Sequence, residues 1–392
     1  MRSTRTQVII IGGGPSGLML SHILARNKID CIVLERSSRA HVLQRIRAGV
    51  LEDGTVQMLR EHDLAKRLDA EGSVHNGTGI VWAGHERFFI DVMKHTGRTM
   101  MAYGQTAITE DLYAARDAAG GAIIEQAADV ALHDCDTDKP WVSYLKDGQT
   151  HRIDGEFIAG CDGFHGVSRQ SIPASVLKTF EKVYPFGWLG IMSRTPPVPE
   201  IIYANHPNGF AMCSQRNPML SRYYVQCPLT DTTDNWSDDR FWAELTTRMG
   251  PEIAAQIQTS PSIEKSIAPL RSFVAEPMRW GQLFLVGDAA HIVPPTGAKG
   301  LNLAFSDVYY LSRALTDFYR NGRADYLDGY SETALKRVWS ATRLSWWLTN
   351  LLHRFPDQTA IDQRLQESEL RFLQRNEDAQ RALAMPYVGE PF

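Results

Sequence analysis

The first strand-like segment of the chain runs directly into a glycine-rich turn. The apolar run Val8 to Ile11 is followed by Gly12-Gly13-Gly14-Pro15-Ser16-Gly17, and a helical pattern then continues to about Arg26. In the pattern G-x-G-x-x-G, the first glycine permits the tight turn, the second lets the backbone approach a pyrophosphate, and the third lets the helix pack closely on the strand. Free N–H groups at the helix N-terminus favour phosphate. The segment therefore predicts a βαβ unit that binds a dinucleotide.

A second apolar run supports this prediction. Cys31 to Leu34 reads as the next strand, and it ends in Glu35. An acidic residue about 20 residues past the glycines is placed to accept hydrogen bonds from a ribose. Glycine-rich turns are common by themselves, but the order strand, glycines, helix, strand and acid is far more specific.

Composition limits the classes of protein to consider. A chain of 392 residues is long enough for two domains, or for one large α/β domain with an insertion. A net charge of -4 without a block of like charge argues against a nucleic-acid surface. The five cysteines form no C-x-x-C, so we expect a reduced, cytoplasmic protein without disulfides or a metal site. No apolar stretch approaches the roughly 20 residues of a membrane span.

The remaining patterns outline an α/β fold with an insertion. Hydrophobic periodicity and turn signals predict these segments: a helix over 51–68, hairpin strands over 74–91, a helix over 111–119, two strands around Lys146-Asp147-Gly148, a short strand at 157–160, antiparallel sheet over 188–225, helices over 239–248 and 251–258, a strand at 283–286, and helices from there to the C-terminus. The region from about 181 to 269 therefore looks inserted into the dinucleotide-binding domain.

Two more glycine–acid turns follow predicted strands: Cys161-Asp162-Gly163 and Gly287-Asp288-Ala289-Ala290-His291. With these turns the chain resembles the single-component FAD-dependent aromatic hydroxylases, nearly from end to end. The stretches that carry the resemblance are Arg45-Ile46-Arg47-Ala48-Gly49-Val50-Leu51-Glu52, Cys161 to Gly166, Tyr184 to Gly190, Ile202 to Pro207, Leu283 to Asn302, and Leu352 to Asp357.

The resemblance implies a fold and a reaction. The fold is an FAD-binding, Rossmann-like domain of the glutathione-reductase type, with an inserted, mostly antiparallel substrate sheet and a helical C-terminal segment. We expect the FAD domain at 1–180 and 270–345, the substrate domain at 181–269 joined by the 74–92 hairpin, and a helical interface segment at 346–392. The implied reaction is hydroxylation of a small phenolic carboxylate by O2 through a flavin hydroperoxide, with NADPH as reductant, in a homodimer.

The resemblance also assigns FAD-binding residues. Gly12, Gly14, Ser16 and Gly17 would cradle the pyrophosphate, and Glu35 would hold the adenosine ribose. Arg45 and Arg47 point the same way in an extended segment and would face phosphate, although a solvated surface pair fits the same pattern. Asp288 would bond a ribityl hydroxyl, or cap a helix. The other residues expected to contact the flavin are Ile46, Ala48, Gly49, Val50, Gln105, Asp162, Arg222, Lys299, Leu301 and Asn302.

A second group of residues is expected to bind the substrate. Arg216, with the hydroxyls of Ser214 and Tyr224 and with Gln215 beside it, would clamp a carboxylate. Without the resemblance, a surface arginine on a sheet edge is the more frequent role. Tyr203 and Tyr387, with His75 toward solvent, would form a chain that removes the phenolic proton, since a phenol has a pKa near 10 in water. The carbonyl of Pro295 would accept from the substrate hydroxyl.

The pyridine nucleotide has no Rossmann domain of its own in this sequence. The resemblance places Arg36, His41, His165 and Arg271 at its contacts, and a 2′-phosphate needs donors such as Arg36. His41 stands where the family pattern has a tyrosine, so we expect NADPH to be used and NADH to be accepted as well. Two alternatives remain open from the sequence: a different FAD-dependent hydroxylase, and a non-enzymatic dinucleotide-binding sensor.

Overall fold

The computed structural model describes residues 2–44, 49–82 and 86–392. Its strands, in chain order, are β1 (Arg2–Arg5), β2 (Val8–Ile11), β3 (Cys31–Glu35), β4 (Val50–Leu51), β5 (Ser73–His75), β6 (Gly77–Trp82), β7 (Phe88–Asp91), β8 (Met100–Ala102), β9 (Ile123–Glu125), β10 (Ala128–His133), β11 (Trp141–Lys146), β12 (Gln149–Asp154), β13 (Phe157–Gly160), β14 (Lys178–Ser193), β15 (Ile201–Asn205), β16 (Ala211–Asn217), β17 (Leu220–Cys227), β18 (Ser262–Glu276), β19 (Arg279–Trp280), β20 (Leu283–Leu285) and β21 (His291–Ile292).

The helices alternate with strands in the first half of the chain and dominate its last quarter. They are α1 (Pro15–Arg26), α2 (Arg39–Leu43), α3 (Asp53–Glu61), α4 (Lys66–Glu71), α5 (Val92–Thr96), α6 (Gln105–Ala118), α7 (Asp238–Ala254), α8 (Gly300–Asn321), α9 (Asp325–Asp328), α10 (Tyr330–Leu352), α11 (Ala360–Arg375) and α12 (Glu377–Val388).

A six-stranded sheet forms the dinucleotide-binding part. Its order is β19-β20-β13-β2-β3-β9, and the neighbours of β2 run parallel to it, with Val8 opposite both Cys31 and Phe157. The strands β2, β3 and β13 are buried along their whole length, as is typical of parallel strands that helices cover on both faces. The predicted α/β class with a Rossmann-like sheet is confirmed.

An eight-stranded, mostly antiparallel sheet carries the inserted region. Its order is β21-β18-β14-β17-β16-β15-β6-β7. The hairpin strands β6 and β7 belong to this sheet, because β6 pairs in parallel with β15 and places Thr78 opposite Ile201. The inserted strands begin with β14 at Lys178 and end with β18 at Glu276, so they extend beyond the expected 181–269 at both ends.

Two smaller sheets and the C-terminal helices complete the structure. The orders of the small sheets are β1-β12-β11-β10 and β4-β8-β5. Helices α10 and α12 pack on the substrate sheet through a core that includes Tyr203, Leu348 and Tyr387. Among the residues described, no helix combines the length and the apolar character needed to cross a membrane.

Three helix predictions need correction. The helix expected over 51–68 is broken into α3 and α4, because Asp63 adopts a left-handed φ of 59° that ends the first helix. Helix α6 starts at Gln105, well before the predicted residue 111, so Gln105 is a helix residue and not a turn residue. Helix α7 joins the two predicted helices across a kink at Gly250, whose φ is 72°, and ends at Ala254.

Candidate active site

The glycine-rich turn has the geometry that a pyrophosphate needs. Gly12 has a φ of +109°, and a Cβ there would lie 2.3 Å from the carbonyl oxygen of Cys161. A Cβ on Gly17 would lie 2.0 Å from the Gly12 oxygen, so the helix can sit this close to the strand only with glycine. A Cβ on Gly14 would meet nothing within 4 Å. The second glycine of the motif therefore borders open space, directly at the N-terminus of α1, where Pro15 and Ser16 form the start of the first turn.

Two carboxylates flank this turn, the buried Glu35 and the half-buried Asp162. Glu35 accepts hydrogen bonds from the N–H groups of Gly13 at 2.7 Å and Ser37 at 2.8 Å, which holds it at the end of β3. Asp162 accepts from the N–H and the hydroxyl of Ser168 through Oδ2, while its buried Oδ1 has no partner within the described part of the chain. Burial raises the pKa of Asp162. An unpaired buried acceptor beside an open, glycine-lined space fits a ligand with hydroxyl donors such as FAD.

The expected flavin side of the site is held together by Asn302. Its amide nitrogen donates to the carbonyls of Val50 and Ala298, and its Oδ1 accepts from the N–H of Glu52 and the hydroxyl of Thr55. The side chain of Asn302 thus ties β4 to the start of α8. The N–H groups of Gly300, Leu301 and Asn302 precede the first intrahelical bond of α8, which Leu303 makes to Lys299, so they point out of the helix.

Lys299 is a buried cation with a buried counter-ion. Its Nζ donates to Glu52 Oε1 at 2.6 Å and to the carbonyl of Tyr387 at 2.7 Å, and Arg337 also pairs with Glu52. Burial lowers the pKa of Lys299, and Glu52 acts in the opposite direction. The positive charge expected at this position is therefore largely balanced by a carboxylate that the sequence prediction did not include.

The remaining expected flavin contacts have separate local environments. Gly49 packs against the Tyr103 carbonyl, where a Cβ would clash at 1.9 Å. Asp288 sits in a 3₁₀ turn, whose Gly287 N–H is held by the buried Asp307 at 2.8 Å. Gln105 begins α6. The expected contacts Arg45, Ile46, Arg47 and Ala48 lie outside the described residues.

One face of the inserted sheet collects the residues expected to bind substrate. Side chains alternate along a strand, so Met212, Ser214 and Arg216 share a face of β16. The register places Ser214 opposite Arg222 and Met212 opposite both Tyr203 and Tyr224. The opposite face carries Cys213 and Tyr223, which pack on α7. Alternation also turns the Gln215 side chain away, so that this residue contributes its carbonyl, which accepts from Arg216 at 2.9 Å.

The Arg216 side chain is positioned by its neighbours. Nη1 also donates to the Ser214 hydroxyl at 3.2 Å, and Tyr224 contributes a further hydrogen bond. The Nε atom is buried and has no partner among the described residues. Burial lowers the pKa of this guanidinium. Arg216, Ser214 and Tyr224 are thus together, as the sequence predicts. Among residues 2–44, 49–82 and 86–392, no carboxylate forms a hydrogen bond with this guanidinium.

Arg222 has a different environment. Its guanidinium donates to Glu264 at 2.6 Å and to the Ser266 hydroxyl at 3.0 Å, and it lies over the Tyr224 ring. Gly190 on β14 makes room for it, because a Cβ there would lie 2.6 Å from the Tyr224 ring and 3.0 Å from Arg222. Neither Glu264 nor Gly190 was singled out from the sequence. The register of three strands was needed to find them.

The two tyrosines expected at the phenol are in contact. The Tyr203 and Tyr387 oxygens lie 3.1 Å apart, and both side chains are buried. Burial raises the pKa of Tyr203 well above its ordinary value, while the Gly297 N–H at its oxygen acts the other way. That contact brings the Pro294–Gly297 loop to Tyr203. Pro295 is exposed, and its carbonyl accepts from the Ala298 N–H at 2.9 Å.

His75 is buried at the end of β5, although a solvated hairpin histidine is the simpler prediction from sequence. Only 2% of its surface is exposed. Its Nδ1 lies 2.8 Å from Glu200 Oε2, and its Nε2 is buried without a partner in the described ranges. The structure shows no direct hydrogen bond from His75 to Tyr387.

The expected nucleotide contacts fall into two places. Arg271 stacks on the Phe164 ring at 4.8 Å, and the exposed His165 meets the same ring edge-on. Arg36 and His41 are exposed at the end of β3 and on α2. Two other cations of these regions have carboxylate partners: Arg39 forms a bidentate ion pair with Asp117 at 2.6 and 2.8 Å, and Arg271 pairs with Glu181 at 3.2 Å.

Comparison with known proteins decides the family. The model of an FAD binding domain matches residues 5–345. A p-hydroxybenzoate hydroxylase of Acinetobacter baylyi is 49% identical over all of this chain and 97% of its own length. The chain belongs to the FAD-dependent aromatic hydroxylases. A rifampicin monooxygenase of Streptomyces venezuelae is 26% identical over 86% of this chain and 67% of its own length.

Solved hydroxylase structures share the fold. A p-nitrophenol 4-monooxygenase of Pseudomonas putida superposes with a TM-score of 0.83 at 16% identity, covering all of both chains. An anhydrotetracycline hydroxylase of Streptomyces rimosus gives a TM-score of 0.77 at 22% identity, covering 98% of this chain and 76% of its own. In this hydroxylase, no group of three or more metal-ligating side chains occurs among the residues that the structure describes.

Proposed function

We propose that this hydroxylase converts 4-hydroxybenzoate to 3,4-dihydroxybenzoate with O2 and NADPH, and that it also accepts NADH. The observation that carries the proposal is that one sheet face presents groups suited to both ends of such a substrate: Arg216 with Ser214 for a carboxylate, and Tyr203, which contacts Tyr387 of α12, for a phenol. The Acinetobacter relative named p-hydroxybenzoate hydroxylase supports the same substrate.

The carboxylate end is bound by charge. A half-buried guanidinium that has lost part of its hydration binds a carboxylate more strongly than an exposed one does, and the planar fork of arginine matches the two carboxylate oxygens. The Tyr224 ring, also on this face, packs beside the same group. We infer that Arg216 orients the ring, so that its hydroxyl end points toward Tyr203.

The phenol end is bound by groups that pass a proton. A tyrosine hydroxyl both donates and accepts, so the substrate proton can move to the Tyr203 oxygen while the Tyr203 proton moves to Tyr387. Both tyrosines stay neutral, because burial holds their pKa values above the ordinary value. The substrate ring becomes a phenolate, which electrophiles attack more readily. His75 is the proposed acceptor at the end of the chain.

FAD fits the glycine-lined space. When bound, FAD would accept electrons from the nicotinamide and use them to activate O2. The chain would hold it with Gly12, Gly14, Gly17 and the α1 N-terminus at the pyrophosphate, Glu35 and Asp162 at hydroxyl groups, and the N–H groups of Leu301 and Asn302 at the ring. Arg222 and Lys299, each paired with a carboxylate, would supply positive charge beside the ring. His165 and Arg271 are proposed to contact the nucleotide, and Arg36 its 2′-phosphate. We also propose a homodimer.

The test is product analysis with the FAD-loaded protein. NADPH and O2 consumption are measured with 4-hydroxybenzoate, with benzoate, which lacks the phenol, and without a substrate. We expect 3,4-dihydroxybenzoate in a one-to-one ratio to NADPH, and no hydroxylated product from benzoate. A different product, or hydroxylation of benzoate, would contradict the proposal. Purified protein without flavin absorbance would favour the alternative function, that of a non-enzymatic dinucleotide-binding sensor.

A further inference from the structure

Glu200 stands out as a carboxylate bound to His75 that no step above uses. It lies just before β15 and has a φ of 65°, a left-handed conformation that non-glycine residues adopt infrequently. Such backbone strain persists where surrounding contacts hold it, and it is frequent at functional sites. Here the contacts are two hydrogen bonds to the link between β5 and β6.

Those two hydrogen bonds fix the position of the Glu200 carboxylate. Oε2 lies 2.8 Å from Nδ1 of His75, and Oε1 accepts from the Asn76 N–H at 3.3 Å. The parallel register of β6 and β15, with Thr78 opposite Ile201, brings the two segments together. The His75 side chain is 2% exposed, whereas that of Glu200 is 22% exposed. The carboxylate therefore lies between a buried imidazole and solvent.

This contact decides which nitrogen of His75 is basic. A carboxylate accepts hydrogen bonds and does not donate them, so Nδ1 carries the proton and Nε2 carries the lone pair. Nε2 is buried and has no partner within the described residues. A carboxylate on Nδ1–H also stabilises the ring after Nε2 has taken up a proton, as it does in catalytic His–Asp pairs.

The groups packed around His75 agree with this arrangement. Tyr387 of helix α12 lies near Glu200, whose charge helps burial to raise the pKa of that phenol. Strand β6 contributes the neutral Thr78, which hydrogen-bonds Tyr387. Strand β8 places the apolar Met100 opposite His75. Arg98, two residues before β8, donates to the Gly389 carbonyl at 2.6 Å.

We propose that Glu200 is a positioning residue of the proton chain: it holds His75 with Nε2 as the acceptor and stabilises the protonated ring. The proposal rests on the function proposed above. In the step, the substrate O–H bond breaks, O–H bonds re-form at Tyr203 and Tyr387, and an N–H bond forms at Nε2, with water carrying the proton between Tyr387 and His75. The charge of the imidazolium is balanced by Glu200 until the Nδ1–H bond breaks and that proton passes along the partly exposed carboxylate to solvent water.

The experiment measures proton release when FAD-loaded protein is mixed with 4-hydroxybenzoate, followed by a pH indicator in a stopped-flow instrument. Glu200→Gln keeps the shape of the side chain and removes the charge. We expect proton release to slow about tenfold, less than the roughly 100-fold or larger effect of removing an acid–base group itself, with the substrate Kd unchanged. The matched control is Glu377→Gln, which removes an exposed carboxylate bound to Lys94 from the same helix as Tyr387.

Two further variants separate positioning from a purely structural role. Glu200→Gln combined with His75→Gln should be no slower than His75→Gln alone, because Glu200 acts through His75. Glu200→Asp, which keeps the charge, should fall between the native protein and Glu200→Gln, and it serves as the test if Glu200→Gln does not fold. Native rates in both Glu200 variants, or additive losses in the double variant, would overturn the proposal. No proton release from the native protein would instead refute the proposed function.

Discussion

The hydroxyl oxygens of Tyr203 and Tyr387 lie 3.1 Å apart, although 184 residues separate them in the chain. One belongs to the inserted sheet and the other to the last helix, so the phenol-binding end of the site exists only when α12 docks on that sheet. Lys299 strengthens the docking, since it donates to the Tyr387 carbonyl from the start of α8.

Tyr203→Phe should separate reductant consumption from hydroxylation. The variant keeps the ring but loses the hydroxyl that receives the substrate proton, so the bound ring stays a neutral phenol. We expect NADPH oxidation to continue in part, with O2 recovered as peroxide and little dihydroxybenzoate formed. Peroxide and product are measured in the same assay.

Tyr223→Phe is the matched control. Tyr223 lies on the opposite face of the same sheet, where its hydroxyl contacts Thr195 at 3.0 Å. Removing this hydroxyl should leave the ratio of product to NADPH at its native value. Full coupling in Tyr203→Phe would rule out the role of Tyr203.

Arg216→Ala should weaken substrate binding. Losing a charge-assisted, partly buried clamp costs about 2–4 kcal/mol, which corresponds to roughly a 30- to 800-fold higher Kd. Flavin titration with 4-hydroxybenzoate measures this constant, and flavin content should stay native. Arg216→Lys should be intermediate, because it keeps the charge and loses the fork.

The uncharged ligand 4-hydroxybenzamide gives the control for this prediction. It lacks the carboxylate charge, so Arg216→Ala should change its Kd much less than that of 4-hydroxybenzoate. An equal change in Kd for both ligands would mean that Arg216 shapes the pocket and does not bind the carboxylate through its charge.

Arg36→Gln should change nucleotide preference. Arg36 is exposed, whereas Arg39 is occupied by Asp117, so Arg36 is the proposed donor to a 2′-phosphate. The variant should raise the KM for NADPH much more than that for NADH, which has no such phosphate. Arg26→Gln, which breaks an ion pair with Asp63 at the far end of α1, should leave both constants unchanged. Equal effects of Arg36→Gln on both nucleotides would refute the assignment.

His353 should make the protein less stable in acid. Its ring is fully buried, stacks on Phe210, and accepts from Trp188 Nε1 at Nε2. Burial lowers the pKa of His353 to about 3, against roughly 6.5 in an unfolded chain. Between these values only the unfolded state binds the proton. The contribution of the neutral His353 ring to the free energy of unfolding is therefore fully present above about pH 6.5. It is lost on acidification by roughly 1.4 kcal/mol per pH unit.

The measurement is the free energy of unfolding in denaturant from pH 6.5 to 4.5. His353→Gln should start from a lower stability and show a slope shallower by about one proton. His165→Gln removes an exposed histidine and should keep the native slope. An unchanged slope in His353→Gln would show that this ring does not control the acid response.

The sequence by itself determined the dinucleotide-binding unit. Its signals are local: apolar runs for strands, glycines where no Cβ fits, and Glu35 at a set distance along the chain. The same holds for the paired residues of β16, because alternation along one strand puts Ser214 and Arg216 on one face. The resemblance added the identities of Tyr203, Tyr387 and His75, which no local pattern marks.

Only the tertiary structure decided which charges meet. Glu52 neutralises Lys299 across 247 residues, Glu264 pairs with Arg222 through the pairing of three strands, and Glu200 reaches His75 through a parallel register. Such partners depend on strand order and helix docking, which composition and periodicity do not encode. The sequence also did not predict the helix break at Asp63, for a related reason. A single left-handed residue interrupts the helix, while the hydrophobic period continues on both sides of it.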